Sequence, residues 1–149
     1  MDRPLNIDEL LCFSVYSVNH AIARLYRPLL APLGLTYPQY LVLVALWDRD
    51  KRRVNDLGAD LQLDTNTLTP LLKRMETADL LTRQRNPQDE RSLIVALTDK
   101  GRALQEKAAE LTACVLEAMG GDVAELADLR DRLQTLRDRL EGEERSRGG

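Results

Sequence analysis

Metal-binding and redox-framework residues are scarce in this chain. It has one histidine, His20, and two cysteines, Cys12 and Cys114, which lie 102 positions apart. That spacing offers no zinc finger and no CxxC pair, and a lone histidine with no nearby cysteine or carboxylate pair makes a poor metal site, so neither metal nor cofactor is expected. Long apolar runs are missing too. The richest, Tyr40 to Trp47, covers about two helical turns, well short of a bilayer. The N-terminus mixes acidic residues with apolar ones and has nothing resembling a cleavage site, so no signal peptide or membrane contact is expected and the cytoplasm is the expected compartment. In a reducing cytosol a structural disulfide is disfavoured. The two cysteines then read as buried thiols acting as small hydrophobes, or as partners in a transient bond.

A basic excess is also lacking. The net charge is −3, whereas a nucleic-acid-binding domain is usually basic. From Asp50 to Arg91 eight basic residues face eight acidic ones, so any phosphate-facing surface in that stretch has to come from an uneven arrangement of charges. What the chain does have is 149 residues, 44% hydrophobic and 30% charged, the profile of one ordinary globular domain long enough to bury a core.

The most informative stretch is Val54 to Leu97. A short helix over Asn55–Leu61 leads through a polar turn, Asp64-Thr65-Asn66-Thr67, to a second helix over Leu68–Asp79. A strand, Leu81 to Arg85, a turn at Asn86-Pro87-Gln88-Asp89 and a return strand, Arg91 to Leu97, complete the order of a winged helix-turn-helix. In the second helix Leu68, Leu71, Leu72 and Met75 recur at i, i+3, i+4 and i+7 and form a core-facing stripe. The opposite face carries Asn66, Thr69, Pro70, Lys73, Arg74 and Thr77. Small hydroxyl and amide groups followed by cations suit base edges and phosphates respectively, though a solvated surface face has the same make-up. Pro70 fits best if the regular helix begins near Thr67. Pro87 sits where a type I turn favours it, and an arginine at the tip of such a ribbon can reach a minor groove.

Helices flank this stretch on both sides. Asn6 and Glu9 have the spacing of a capping box, which predicts a helix running from there to about Leu30 with apolar residues nearly all round. Pro32 and Gly34 make a loop, and Thr36 caps a helix that runs to Trp47 with Pro38 in its first turn. Asp48 to Arg53 is a charged connector. After the ribbon, Thr98 caps a long helix with a stripe of Leu104, Ala108, Leu111, Val115 and Ala118, and Gly120-Gly121 breaks it. A last helix from Asp122 repeats Leu126, Leu129, Leu133, Leu136 and Leu140, a regularity that suits a partner helix. The charged tail from Gly142 is expected to be disordered.

In this order of elements the chain resembles the MarR family of bacterial transcription regulators over nearly its whole length. The most family-like segment is Asp89-Glu-Arg91-Ser-Leu-Ile-Val-Ala-Leu-Thr98-Asp-Lys-Gly101, in which the resemblance gives Asp89 the role of bracing the wing and Arg91 that of entering the minor groove. The resemblance implies a mainly α fold with a small β-wing: a winged helix-turn-helix at residues 36–97, and a helical dimerisation part from residues 6–31 and 99–141, with 142–149 as tail. It also implies a homodimer on double-stranded operator DNA, contacted through Thr65, Asn66, Thr67, Thr69, Pro70, Lys73, Arg74, Asp89 and Arg91.

Within the family the chain is similar to the OhrR-type sensors of organic hydroperoxides. The likeness rests on Leu11-Cys12-Phe13 with Tyr16, on Tyr26, on Tyr37-Pro38-Gln39-Tyr40 and on Leu68-Thr-Pro-Leu-Leu-Lys-Arg74. It implies that Cys12 is the peroxidatic thiol, hydrogen-bonded by phenols matching Tyr26 and Tyr37, with Tyr16 a third candidate. A second cysteine placed like Cys114 marks the subtype that resolves the oxidised form as a disulfide between subunits. Geometry adds one constraint. Fourteen residues separate Cys12 from Tyr26, so on one helix they lie about 21 Å apart and cannot touch within a chain. A partner helix, antiparallel across a two-fold axis, has to supply the contact.

A thiolate is the species that attacks a peroxide. Asp8 and Glu9 disfavour a negative charge at Cys12, and a helix capped at Asn6 leaves the thiol too far from the N-terminus for much dipole effect, so the tyrosine hydroxyls are the expected compensation. The product is a sulfenic acid that Cys114 can trap as a disulfide. Apolar neighbours (Leu11, Phe13, Val15) suit an alkyl or lipid hydroperoxide as inducer. The expected function is a repressor that binds its operator when reduced and releases it when oxidised, derepressing a peroxide-resistance gene; it is not expected to be an enzyme. The competing readings are a MarR-type repressor controlled by a small phenolic ligand, a thiol peroxidase using Cys12, and a helical adaptor that dimerises without DNA.

Overall fold

A reciprocal pair of hydrogen bonds shows how local rules set the elements. The Thr36 hydroxyl accepts the Gln39 backbone N–H at 3.4 Å, and the Gln39 side chain accepts the Thr36 N–H at 3.1 Å. This capping box, with Pro38 in the first turn, starts the helix Tyr37–Asp48. The computed structural model describes residues 5–149. Its elements are α1 (Leu11–Leu30), α2 (Tyr37–Asp48), β1 (Arg52–Arg53), α3 (Val54–Leu61), α4 (Thr65–Thr77), β2 (Leu81–Asn86), β3 (Asp89–Leu97), α5 (Asp99–Ala118) and α6 (Val123–Arg147). The fold is mainly α with a small antiparallel sheet of order β1-β3-β2. No single helix among the described residues is long and apolar enough to cross a membrane.

Where length alone suggests one domain, the chain divides into two compact units. One ends at Ala109 and the other is Glu110–Gly149, so the boundary falls inside α5. The core of the first unit is aliphatic. Leu30, Leu43, Leu46, Leu57, Leu68, Leu72, Met75, Leu81 and Val95 are fully buried, drawn from α1 to α4 and from the sheet. The expected stripe of α4 is there, with Leu68, Leu71, Leu72 and Met75 all buried. At roughly 1.5–3 kcal/mol for each large aliphatic side chain taken from water, this cluster is the main force holding the helix-turn-helix to the ribbon.

The charged connector at 48–53 turns out to hold structure that its polarity hides. Arg52 and Arg53 form β1, paired with Val95 and Ile94 of β3. The Arg52 guanidinium is almost wholly buried and is neutralised by an ion pair with Asp60 on α3. The preceding Asp50 carboxylate accepts the Leu97 N–H at 2.9 Å and so ties the connector to the end of β3. Charge density alone gave no sign of a strand, because two residues are too short for a visible alternation.

The start of α5 is fixed by Thr98 and Gly101. Thr98 Oγ1 accepts the Gly101 N–H at 3.1 Å, the cap expected from sequence. Gly101 packs so closely on the chain before β2 that a Cβ there would lie 2.1 Å from the Leu80 carbonyl oxygen. Its own carbonyl accepts the Trp47 indole N–H from α2 at 3.0 Å.

The start of the first helix differs from that expected. Asn6 caps only a single 3₁₀ turn, Ile7–Glu9, its side chain accepting the Asp8 N–H at 3.1 Å. Leu10 is extended, and α1 begins at Leu11. Asn6 is thus a cap, but of a shorter element, and its side chain bonds the Asp8 N–H rather than the Glu9 N–H of the expected capping box.

In the second unit Gly120 and Gly121 adopt φ of +102° and +77° and end α5 after Ala118. The Asp122 side chain then accepts the Glu125 N–H at 3.1 Å and starts α6. This helix runs to Arg147, past Gly142 where the sequence suggested a disordered tail. One glycine costs a helix only about 1 kcal/mol, and i,i+4 pairs on either side of it, Arg137–Glu141 and Arg147–Glu143, favour continuation. Leu111 and Val115 are buried, whereas Leu129, Leu133 and Leu140 of the leucine repeat are exposed.

Candidate functional site

The helix-turn-helix face is built from the Asp64 carboxylate. It accepts the Thr67 N–H at 2.8 Å and so begins α4 at Thr65, three residues before the expected Leu68. Thr65, Asn66 and Thr67 therefore form the first helical turn rather than a turn leading into it. Pro70 lies within α4, deeper than a start near Thr67 would put it, and its ring both takes away the N–H that would have bonded to the Asn66 carbonyl and crowds that carbonyl. Asn66, Thr67, Pro70, Lys73 and Arg74 are exposed, and Thr69 is partly so. Thr65 and Thr69 share a cleft of about 150 Å³ with Val54 and Asn55 of α3 and with Arg91, Ser92 and Leu93 of β3. The structure thus brings Thr65 and Thr69 of α4 and Arg91 of the wing to one cleft.

The wing tip is more elaborate than a plain turn. β2 and β3 pair regularly from Leu81↔Leu97 to Arg85↔Leu93, and then the register shifts so that Asn86 pairs with Asp89. Residues 90–92, Arg91 among them, bulge out of the ladder. Asn86, Asp89 and Ser92 hold this bulge. Asn86 Oδ1 accepts the Gln88 N–H at 3.0 Å, Asn86 Nδ2 donates to Ser92 Oγ at 3.2 Å, and Asp89 Oδ1 accepts the Arg91 N–H at 3.1 Å. Asn86 and Ser92 were not singled out from sequence; an Asx turn beginning at Asn86 was the available signal.

Sequence reasoning also passed over Glu76 and Arg83. Glu76, in the last turn of α4, accepts the Arg83 backbone N–H at 3.0 Å through Oε2 and the Arg83 guanidinium at 3.1 Å through Oε1. These bonds hold the Glu76 carboxyl below the usual carboxylate range, the Arg83 side chain being the largest cause and its backbone N–H the next.

Both thiols are exposed, against the simplest expectation of buried small hydrophobes. Because α1 begins at Leu11, Cys12 sits in its first turn and not deep within a helix capped at Asn6. Tyr16 is one turn further on, also exposed, with its ring 4.4 Å from that of His20. Tyr26 lies near the other end of the same helix, where its ring is 4.7 Å from Tyr37 and 5.5 Å from Tyr40 of α2. Burial, followed by the neighbouring phenols Tyr40 and Tyr37, pushes the Tyr26 hydroxyl up to about 12, and burial and then Tyr40 raise that of Tyr37. Both are neutral hydrogen-bond donors at any physiological pH. α1 is continuous over Leu11–Leu30, so this tyrosine cluster lies about 21 Å along the helix from Cys12. Cys114 lies on α5 in the second unit.

An exposed polar helix beside a bulged two-stranded wing defines a winged helix-turn-helix. The model of the family described as transcriptional regulator SarA/Rot matches residues 24–108. The chain is 46% identical to the HTH-type transcriptional regulator TtmR of Methylorubrum extorquens, over 93% of its own length and 71% of that protein's. It is 40% identical to the organic hydroperoxide resistance transcriptional regulator of Bacillus subtilis, over 91% and 92% of the two chains. Among solved structures, reduced AbfR bound to DNA superposes with a TM-score of 0.79 at 38% identity, covering 87% of this chain and 91% of that one. AbfR, from Staphylococcus epidermidis, also has a disulfide-formed structure with a TM-score of 0.62 at 37% identity, covering 89% and 88%. The chain belongs to the MarR-like family of winged-helix transcriptional regulators, and the resemblance to the OhrR-type members is borne out. The relatives are regulators rather than enzymes.

Proposed function

We propose that this protein is a homodimeric, thiol-based repressor whose operator binding is switched off by organic hydroperoxides. On DNA, Thr65, Asn66, Thr67, Thr69 and Pro70 face base edges in the major groove, Lys73 and Arg74 bind phosphates, and Arg91, aimed by Asp89, enters the minor groove. The exposure of these side chains and the cleft that gathers Thr65, Thr69 and Arg91 support this assignment.

The observation that carries the sensing role is the split between thiol and phenols. Tyr26 of α1 and Tyr37 of α2 are paired, half-buried and kept neutral, suited to donate to an anion, yet the α1 thiol, Cys12, is about 21 Å from Tyr26 along that helix. Two antiparallel copies of α1 bring Cys12 of each chain to the phenols of the other. The exposed apolar residues of α1 (Leu11, Val15, Val18) and of α6 (Leu129, Leu133, Leu140) provide surface for that dimer.

In the reaction the Cys12 thiolate attacks the terminal oxygen of the hydroperoxide. The O–O bond breaks, the alkoxide takes a proton and leaves as an alcohol, and the sulfur becomes a sulfenic acid. The Cys114 sulfur then attacks the Cys12 sulfur, water leaves, and a disulfide forms. AbfR has been solved on DNA in an overoxidised form as well as a reduced one, and separately with its disulfide formed. We therefore assign DNA release to the disulfide rather than to oxygen on Cys12. A mobility-shift assay with and without cumene hydroperoxide tests the proposal. Wild-type protein should lose the operator on oxidation and Cys12→Ser should bind and ignore the oxidant; unchanged wild-type affinity would overturn it.

A further inference from the structure

The inner face of β2 carries an arginine where its pattern calls for an apolar residue. Leu81, Arg83 and Arg85 alternate onto one face of the strand; Leu81 is buried, Arg85 is exposed and the Arg83 side chain is only 17% exposed. Its head group is not freely solvated. One end of the guanidinium and the backbone N–H of the same residue both bind the Glu76 carboxylate, while Arg83 Nε is wholly buried without a hydrogen-bond partner.

A buried unpartnered donor is a cost to folding, and an aliphatic side chain of similar volume at this position would avoid it. What an aliphatic residue cannot do is fix an angle. Hydrophobic contact is non-directional, whereas the Glu76–Arg83 pair makes two hydrogen bonds of set direction between the last turn of α4 and the third residue of the wing. From Arg83 the ladder runs two pairs further, to Arg85↔Leu93, and reaches the bulge that holds Arg91.

We infer that Glu76 and Arg83 are positioning residues for DNA binding: their clamp sets the wing at the angle from α4 at which Arg91 meets the minor groove while α4 occupies the major groove. Neither side chain needs to touch DNA. The inference rests on the proposed operator binding and adds to it a determinant outside the contact surface.

The test is footprinting of the full-length dimer on the duplex that wild-type protein enriches from a random-sequence pool. Two variants are compared, Arg83→Met, which keeps the volume and removes the orphaned donor, and Glu76→Gln, which keeps the shape and one acceptor. Arg83→Met should melt no lower than wild type yet bind about tenfold more weakly. Hydroxyl-radical protection of the minor groove beneath the wing should fade while methylation protection of major-groove guanines persists. Glu76→Gln should fall between the two proteins. Wild-type affinity and an unaltered footprint in Arg83→Met would overturn the inference, and so would equal loss of protection in both grooves accompanied by a lower melting temperature. If wild-type protein enriches no duplex, the operator-binding proposal itself fails, a result distinct from any difference among variants.

Discussion

Gly101 joins three elements at a single residue. Its Cα lies against the backbone before β2, its N–H is the one that Thr98 caps, and its carbonyl receives the Trp47 indole. Any side chain must push Leu80 aside, and Leu80 is itself buried. Gly101→Ala should therefore destabilise the protein by about 1–3 kcal/mol, as overpacking in a fixed core does. Thermal unfolding followed by circular dichroism should show a midpoint several degrees lower, at roughly 2–4 °C for each kcal/mol in a chain of this size. An unchanged midpoint would mean that the Leu80 segment moves freely. The sequence marked Gly101 only as the end of a family-like segment. The contact that requires a glycine there comes from a residue twenty-one positions earlier, and no local pattern displays it.

Among the elements, α4 and the wing were the most legible and also the most revised. The stripe Leu68, Leu71, Leu72 and Met75 specified which face of α4 is inside, because burial follows the helical period. The N-terminus was misplaced by three residues because Thr65, Asn66 and Thr67 are polar turn formers; the capping bond from Asp64 outweighs their modest propensity. β1 escaped notice because two arginines look like surface. The clamp between α4 and β2 has a titratable component. With its folded-state pKa lowered by Arg83, Glu76 contributes stability that is present above the ordinary carboxylate range and is lost as pH falls through the folded value. Acid unfolding of Glu76→Gln should accordingly lack one step of pH dependence below about pH 4.5. A variant whose stability falls with acid as steeply as wild type's would show that the clamp does not hold in solution.

For the whole molecule, the family and the helix order could be read from sequence, and the family model and relatives bear them out. The division into two units could not, since nothing in the composition of α5 marks Ala109 as a boundary. Nor could the exposure of both cysteines, because a thiol's burial depends on tertiary neighbours that a helical wheel leaves unassigned. That exposure makes the proposed switch directly measurable. After peroxide treatment a non-reducing gel should move wild-type protein to dimer mass, and a thiol reductant should restore the monomer band. Cys114→Ser should stay at monomer mass and, by the assignment of release to the disulfide, remain on operator DNA after oxidation. Release by Cys114→Ser would place the switch at the sulfenic acid instead.

The continuity of α1 from Leu11 to Leu30 has a consequence for how sensing depends on concentration. On the proposed pairing of thiol and phenols, one chain carries two halves of the sensing site and no complete one. On the proposed antiparallel pairing the crossing point falls near Asn19, midway between Cys12 and Tyr26, and each dimer completes two sensors at once. Dilution below the dimer dissociation constant would then leave the thiol without its donors and the wing without its second half-site together. Blindness to peroxide and loss of the operator would set in at the same protein concentration, so a subunit that can no longer repress can no longer sense.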